Sequence, residues 1–214
     1  MRGAFVTTFQ HYPAERSART LMVLAHGAGA GQRHPFMVTI ARGLAERGID
    51  VVTFDFPYMR EKRRAPDKAP VLETAFREAV ADAQATVGAT HRLFIGGKSM
   101  GGRIATHVAA QGLDGLQGVI ALGYPLHPPG KPEQLRMAHL PAIRVPVLIV
   151  QGERDAFGAP AELRPIVEQM PGPVSLHVVA HGDHSLAVPK AAGVSQKEIY
   201  ATVLDTMASW VQST

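Results

Sequence analysis

Residues 92–104 read RLFIGGKSMGGRI, and the reading of GKS within them decides the fold. Gly97-Lys98-Ser99 matches the end of a phosphate-binding loop, and Gly97-Lys98-Ser99-Met100-Gly101 also matches Gly-x-Ser-x-Gly, a turn that presents a reactive serine. The phosphate loop requires a first glycine five residues before Gly97, where backbone N–H groups begin to wrap the phosphates. That position is Arg92, and RLFI (92–95) reads as a buried strand with no loop in it. No later strand ends in a metal-holding aspartate of the Walker B kind. The alternative fits: an apolar strand, a sharp turn flanked by small residues, then an amphipathic stretch, SMGGRIATHVAAQG (99–112). Glycines two before and two after the serine let strand and helix nearly touch, and a strained backbone at the apex holds Oγ out beyond the sheet.

The same alternation runs outward in both directions. TLMVLAHG (20–27), DVVTFDFP (50–57), GVIALGYP (118–125), PVLIVQGERD (146–155) and VSLHVVAHGDH (174–184) read as strands. FMVTIARGLAERG (36–48), VLETAFREAVADAQATVG (71–88), AELRPIVEQM (161–170, despite Pro165) and SQKEIYATVLDTMASWVQ (195–212, opened by a serine cap) read as helices. AFVTTF (4–9) is a candidate antiparallel edge strand. Nearly continuous apolar strands alternating with helices predict an α/β fold, a mostly parallel sheet of about seven strands covered on both faces. The proline-rich stretches 57–70 and 123–145 follow strands, so they border the sheet's C-terminal edge, where such folds place their sites. They are too short for a lid domain, so a single domain over 1–214 is expected.

Composition narrows the chemistry. The 214 residues include no cysteine, which excludes disulfides and thiolate metal sites and leaves a hydroxyl as the natural covalent nucleophile. Apolar residues make up 46% and charged residues 19%, within the range of a soluble globular protein. No signal peptide or membrane-spanning run is read, so a cytoplasmic protein with no membrane partner is expected. The net charge of +4 raises the possibility of a nucleic-acid partner, but the basic cluster REKRRAPDK (60–68) matches no nucleic-acid-binding motif and reads as a solvated loop.

A serine hydroxyl needs a base to take its proton and a carboxylate to orient that base. With Ser99 as nucleophile, Asp155 follows the strand PVLIVQGERD and His184 lies beyond VSLHVVAHGDH, in the order serine, acid, histidine. Glu153 competes for the acid and His181 for the base. The turn after the strand favours Asp155, and the reach needed to come back to Ser99 favours His184. His181 and Asp183 otherwise read as turn residues, and a metal at His-Gly-Asp-His lacks the further ligands a site needs. Two N–H donors for a developing oxyanion would come from Met100, next after the nucleophile, and from Ala28 in HGAGAG (26–31), with Gly27 as the competing donor. His26 reads as a brace for that loop, Lys98 as a surface or loop-bracing residue. Tyr58, Tyr124 and His127 are candidate substrate contacts at the mouth of the site, where the arginines would favour an anionic acyl or leaving group. No cofactor or metal is called for.

Taken together, HGAGAGQRHPFM, DFPYM, GGKSMGGR, LGYPLHPPGKPEQLR, QGERDAFG and HGDHSL resemble the α/β-hydrolase superfamily over essentially the whole chain. Within it they are similar to a branch that joins bacterial dienelactone-hydrolase-like proteins to a testis-expressed protein and a subunit of the nonspecific-lethal chromatin complex. The resemblance implies a Ser99–Asp155–His184 triad and no substrate. Dienelactone hydrolases proper use a cysteine nucleophile, which this chain lacks. The expected function is cleavage of a small ester or thioester through an acyl-enzyme. The alternative is a hydrolase-like interaction module whose triad is idle.

Overall fold

The computed structural model describes residues 8–16 and 19–214. Seven strands form one sheet in the order β1-β3-β2-β4-β5-β6-β7. These are β1 (Phe9–Tyr12), β2 (Thr20–Ala25), β3 (Asp50–Phe54), β4 (Arg92–Lys98), β5 (Leu116–Leu122), β6 (Val147–Gly152) and β7 (Val174–Val179). Only β1 runs antiparallel, paired with β3 at the sheet edge, and the other neighbours are parallel. The helices are α1 (Pro35–Ala45), α2 (Pro57–Arg60), α3 (Ala69–Val87), α4 (Met100–Ala110), α5 (Pro160–Val167) and α6 (Gln196–Ser213). This is the α/β-hydrolase fold, and no lid is present among the described residues.

Strand alternation divides the core into two layers. Leu21, Val23 and Ala25 of β2 pack toward α3 and α4, while Met22 and Leu24 pack toward α1 and α6. The same alternation repeats at Leu93 and Ile95 against Phe94, and at Val119 and Ala121 against Ile120 and Leu122. The inner strands are therefore largely apolar on both sides, because both of the sheet's faces are covered.

Three expectations shift in detail. The described edge strand is Phe9–Tyr12, which shares only Phe9 with the expected 4–9, and residues 4–7 of that expectation are outside the described residues. The segment 57–70 holds one helical turn, α2, before α3 begins at Ala69, because Pro57 and Pro70 each stand in the first turn of a helix, where a missing N–H is tolerated. Helix α5 ends at Val167, two residues beyond Pro165, whose ring removes an interior backbone bond.

Parallel strands put their C-terminal ends on one edge. Chain order reverses about β2, which lies between β3 and β4, so the loops after β2 and β4 part and leave a crevice there. Ala25 and Gly97 are register partners across that crevice, so the loop beginning at His26 faces Ser99.

Candidate functional site

Ser99 stands between β4 and α4 with φ 51° and ψ −115°, a conformation rare for a residue with a side chain. The elbow is held from the sheet side, where the Ser99 amide donates to the Leu122 carbonyl at 2.9 Å. Gly97 and Gly101 explain how so tight a turn closes: a Cβ on either would run into backbone atoms of residues 25–26, and at Gly97 also into the backbone of Gly101. At the turn itself, helix and strand approach each other backbone to backbone.

The loops after β6 and β7 meet the serine. His184 Nε2 lies 2.8 Å from Ser99 Oγ, and His184 Nδ1 lies 3.0 and 2.8 Å from the two Asp155 oxygens. A carboxylate only accepts, so Nδ1 carries the proton and Nε2 presents its lone pair to the serine hydroxyl. Asp155 is buried and held by two further donors, the Phe157 amide and Gln151 Nε2, each at 2.8 Å. The Phe157 ring stacks on His184 with centroids 4.1 Å apart.

The competing acid and base are placed elsewhere. Glu153 accepts from the His181 amide at 2.7 Å, and both side chains are more than half exposed, at 51% and 59%. Asp183 accepts from the amides of Ser185 and Ala187 and so shapes the turn that carries His184.

Met100 is the first residue of α4, so its N–H has no acceptor within the helix. It lines a cavity of about 690 Å³ together with Gly27, Ala28, Ser99 and His184. The loop carrying Ala28 is braced by His26, a fully buried imidazole whose Nε2 accepts from the Phe56 amide at 3.1 Å, leaving Nδ1–H to donate to the Gly27 carbonyl at 2.8 Å. Burial lowers the His26 pKa and outweighs the raising effects of Gly27 and Asp55, so the ring stays neutral and serves as a bracket.

The three expected substrate contacts lie behind the wall of the cavity. Tyr58, Tyr124 and His127 are buried and none lines it. Tyr58 packs edge-on against His26, and its amide donates to Asp67. Tyr124 donates its hydroxyl to the Arg136 carbonyl at 2.6 Å, and His127 Nε2 lies 3.0 Å from Glu162. Both tether the connection between β5 and β6. The segments expected at the mouth contribute instead through Pro125 and Arg136, and Pro66 and Asp67 join them.

Two residues were missed. Gln151 Nε2 contacts Asp155, the Gly158 carbonyl and the Tyr124 carbonyl, while its Oε1 accepts from the Tyr124 amide. A glutamine within the apolar run VLIVQG was the available signal, since a buried amide must be answered by partners. Gln151→Leu leaves a buried carboxylate short of one donor. Such a loss is worth about 1.5–3 kcal/mol, so kcat on an ester substrate is expected to fall about ten- to a hundredfold with KM little changed. Phe157 carried no periodic signal, because it lies in the turn after β6.

Lys98 is half-buried, and its ammonium donates to the His184 carbonyl. Burial pulls its pKa down to about 8 against the raising influence of Asp155 and Asp183. The unfolded chain keeps that proton up to about 10.4, so between these values the unfolded state binds more protons and stability rises with pH. Urea midpoints of wild type and Lys98→Met, measured from pH 7 to 10, are expected to show wild type gaining on the variant above pH 8. Parallel pH profiles would refute this.

The chain belongs to a hydrolase family, for residues 18–212 match the model described as the alpha/beta hydrolase domain. Its fold is similar to that of a dienelactone hydrolase from Anabaena variabilis, at 17% identity over 98% of this chain and 94% of the other, with a TM-score of 0.74. It is similar also to an α/β serine hydrolase homologue from Coxiella burnetii, at 16% identity over 96% and 93%, TM-score 0.74. A third likeness is to a Xanthomonas campestris protein described as a member of the α/β serine hydrolases without lid, at 20% identity over 81% and 78%, TM-score 0.65. Among the described residues no helix is long and apolar enough to cross a membrane.

Proposed function

We propose that the chain is a serine hydrolase that cleaves small carboxylic esters or thioesters through an acyl-enzyme. The observation that carries this reading is the unbroken chain of hydrogen bonds from Asp155 through His184 to Ser99 Oγ, set in a cavity of about 690 Å³. His184 Nε2 takes the hydroxyl proton as Ser99 Oγ attacks the carbonyl carbon, and Asp155 stabilises the imidazolium that results. The oxyanion is received by the amides of Met100 and Ala28. His184 then returns the proton to the leaving group, and a water activated by the same nitrogen releases the acid and frees Ser99. Gln151, Phe157 and Lys98 hold the acid and the base in position. The quoted motifs further support placing the chain in the dienelactone-hydrolase-like branch that includes the testis-expressed and nonspecific-lethal-complex relatives.

A fluorophosphonate probe tests the reading directly. Intact-mass and peptide mapping are expected to find one adduct, on Ser99, absent in Ser99→Ala and formed far more slowly in His184→Ala. A folded protein that takes no label would overturn the proposal and leave an idle interaction module in its place.

A further inference from the structure

Arg103 lies one helical turn beyond Ser99, its amide bonded to the Ser99 carbonyl at 3.0 Å, and both residues line the cavity. The guanidinium is partly drawn out of water. Among the described residues no carboxylate bonds to it, and its Nε is buried with no hydrogen-bond partner. Burial lowers its pKa, and the nearby Arg136 adds to the effect. Among the described residues its guanidinium has one side-chain hydrogen-bond partner, His107 Nε2 at 3.3 Å, and His107 Nδ1 lies 2.9 Å from Glu73. A guanidinium only donates, so that imidazole accepts at Nε2, gives its Nδ1–H to Glu73 and is neutral. His139 packs against it with centroids 3.9 Å apart, and burial pulls its pKa down to about 3, so it too carries no charge. Glu73 is thus one residue removed from Arg103.

Arg136 reaches the same cavity from the connection between β5 and β6. Its backbone is fixed on both sides, the amide donating to Leu126 at 2.7 Å and the carbonyl accepting from Tyr124. Its guanidinium forms no hydrogen bond or ion pair with any described residue. Asp67 also lines the cavity, but its oxygens are engaged by Arg63 and the Tyr58 amide. Two like charges therefore converge on one cavity beside the nucleophile, and a partly desolvated cation such as Arg103 with no carboxylate bonded to it is unfavourable unless something supplies the anion.

We propose that Arg103 and Arg136 form an anion-binding subsite that receives a carboxylate carried by the ester or thioester substrate. This rests on the reading of Ser99 as the nucleophile. The forked donors of a guanidinium match a carboxylate in two-point contact. Four residues of helix rise place Arg103 roughly 6 Å along α4 from Ser99, which suits an anion a few bonds from the scissile carbonyl.

Two matched pairs of substrates test the subsite. Phenyl hydrogen glutarate against phenyl methyl glutarate varies charge on the acyl side, and 3-acetoxybenzoate against its methyl ester varies charge on the leaving group. Wild type is expected to favour the charged member of one pair by about tenfold or more in kcat/KM, as a charge-assisted contact supplies. The pair that shows the preference identifies the side on which the anion sits. Arg136→Gln is expected to bring that ratio close to one, and Arg136→Lys to keep part of it. General loss of activity cancels in the ratio. Labelling of Ser99 with no charge preference in either pair would overturn the subsite alone, as would a preference that survives Arg136→Gln. Should Ser99 not label, glutarate binding to Ser99→Ala by calorimetry decides the matter without turnover. Saturable binding weakened about tenfold or more by adding Arg136→Gln supports the subsite, and no saturable binding refutes it.

Discussion

Ser99→Ala is expected to lower kcat/KM on a short p-nitrophenyl ester by about 10⁴-fold or more, and His184→Ala by a comparable factor. The two losses should be similar because the groups act as one device. Without His184 the hydroxyl keeps its proton, and without Ser99 the imidazole has nothing to activate within its 2.8 Å reach. For the same reason the double variant should be little worse than either single one. Removing Asp155 should cost less, since His184 keeps its lone pair toward Ser99 but loses the carboxylate that fixes its tautomer. The proposed oxyanion donors at Met100 and Ala28 would remain in every variant and leave residual hydrolysis above the rate in water. Steady-state rates on purified, folded variants decide it. A Ser99→Ala protein within tenfold of wild type would show that another group performs the chemistry.

Much of this arrangement was legible in the sequence because its logic is local. The elbow is written in the glycines around Ser99, and the proposed acid and base, Asp155 and His184, each follow a recognisable strand. The parallel sheet then delivers all three to one edge. Neighbouring strands leave little freedom there, which is why Asp155 and His184 met Ser99 while Glu153 and His181 turned aside to bond each other. The cavity walls were less legible. Tyr58, Tyr124 and His127 sit in loops at the correct edge, yet each side chain faces the core or a neighbouring loop. That choice depends on partners outside each local run, the His26 ring for Tyr58, the Arg136 carbonyl for Tyr124 and Glu162 for His127, which no local pattern announces. Arg103 was within reach of sequence reasoning, since the residue four after Ser99 returns to the same side of the helix that Ser99 caps. What the sequence withheld was the absence of a carboxylate beside it. Gln151 differs again, because its meaning lies in three carbonyl and carboxylate oxygens from two separate segments, the turn after β6 and the loop after β5.

Gly97→Ala is expected to destabilise the fold by about 3 kcal/mol, the upper end of over-packing effects. In a chain of this size that corresponds to a fall in Tm of about 6–12 °C. The added methyl would meet the Ala25 carbonyl oxygen, the Gly101 carbonyl carbon at 2.8 Å and the Gly102 amide nitrogen at 3.0 Å. All three are backbone atoms, so no side chain can rotate away to make room. Relief requires β4 to part from β2 or α4 to lift from the sheet, and either movement loosens the turn that holds Ser99 at positive φ. Gly27→Ala is the matched control. It lies across the same crevice, but a methyl there finds its nearest neighbours at 3.5 and 3.6 Å, an ordinary contact, and its φ needs no glycine. Its melting temperature is expected to stay within about 2 °C of wild type, corresponding to less than about 1 kcal/mol. Equal Tm values for the two variants would mean that the elbow tolerates a side chain and that strand and helix are not in backbone contact. A large loss at Gly97 alone would show that the close approach of strand and helix is a structural requirement of the turn that presents the serine.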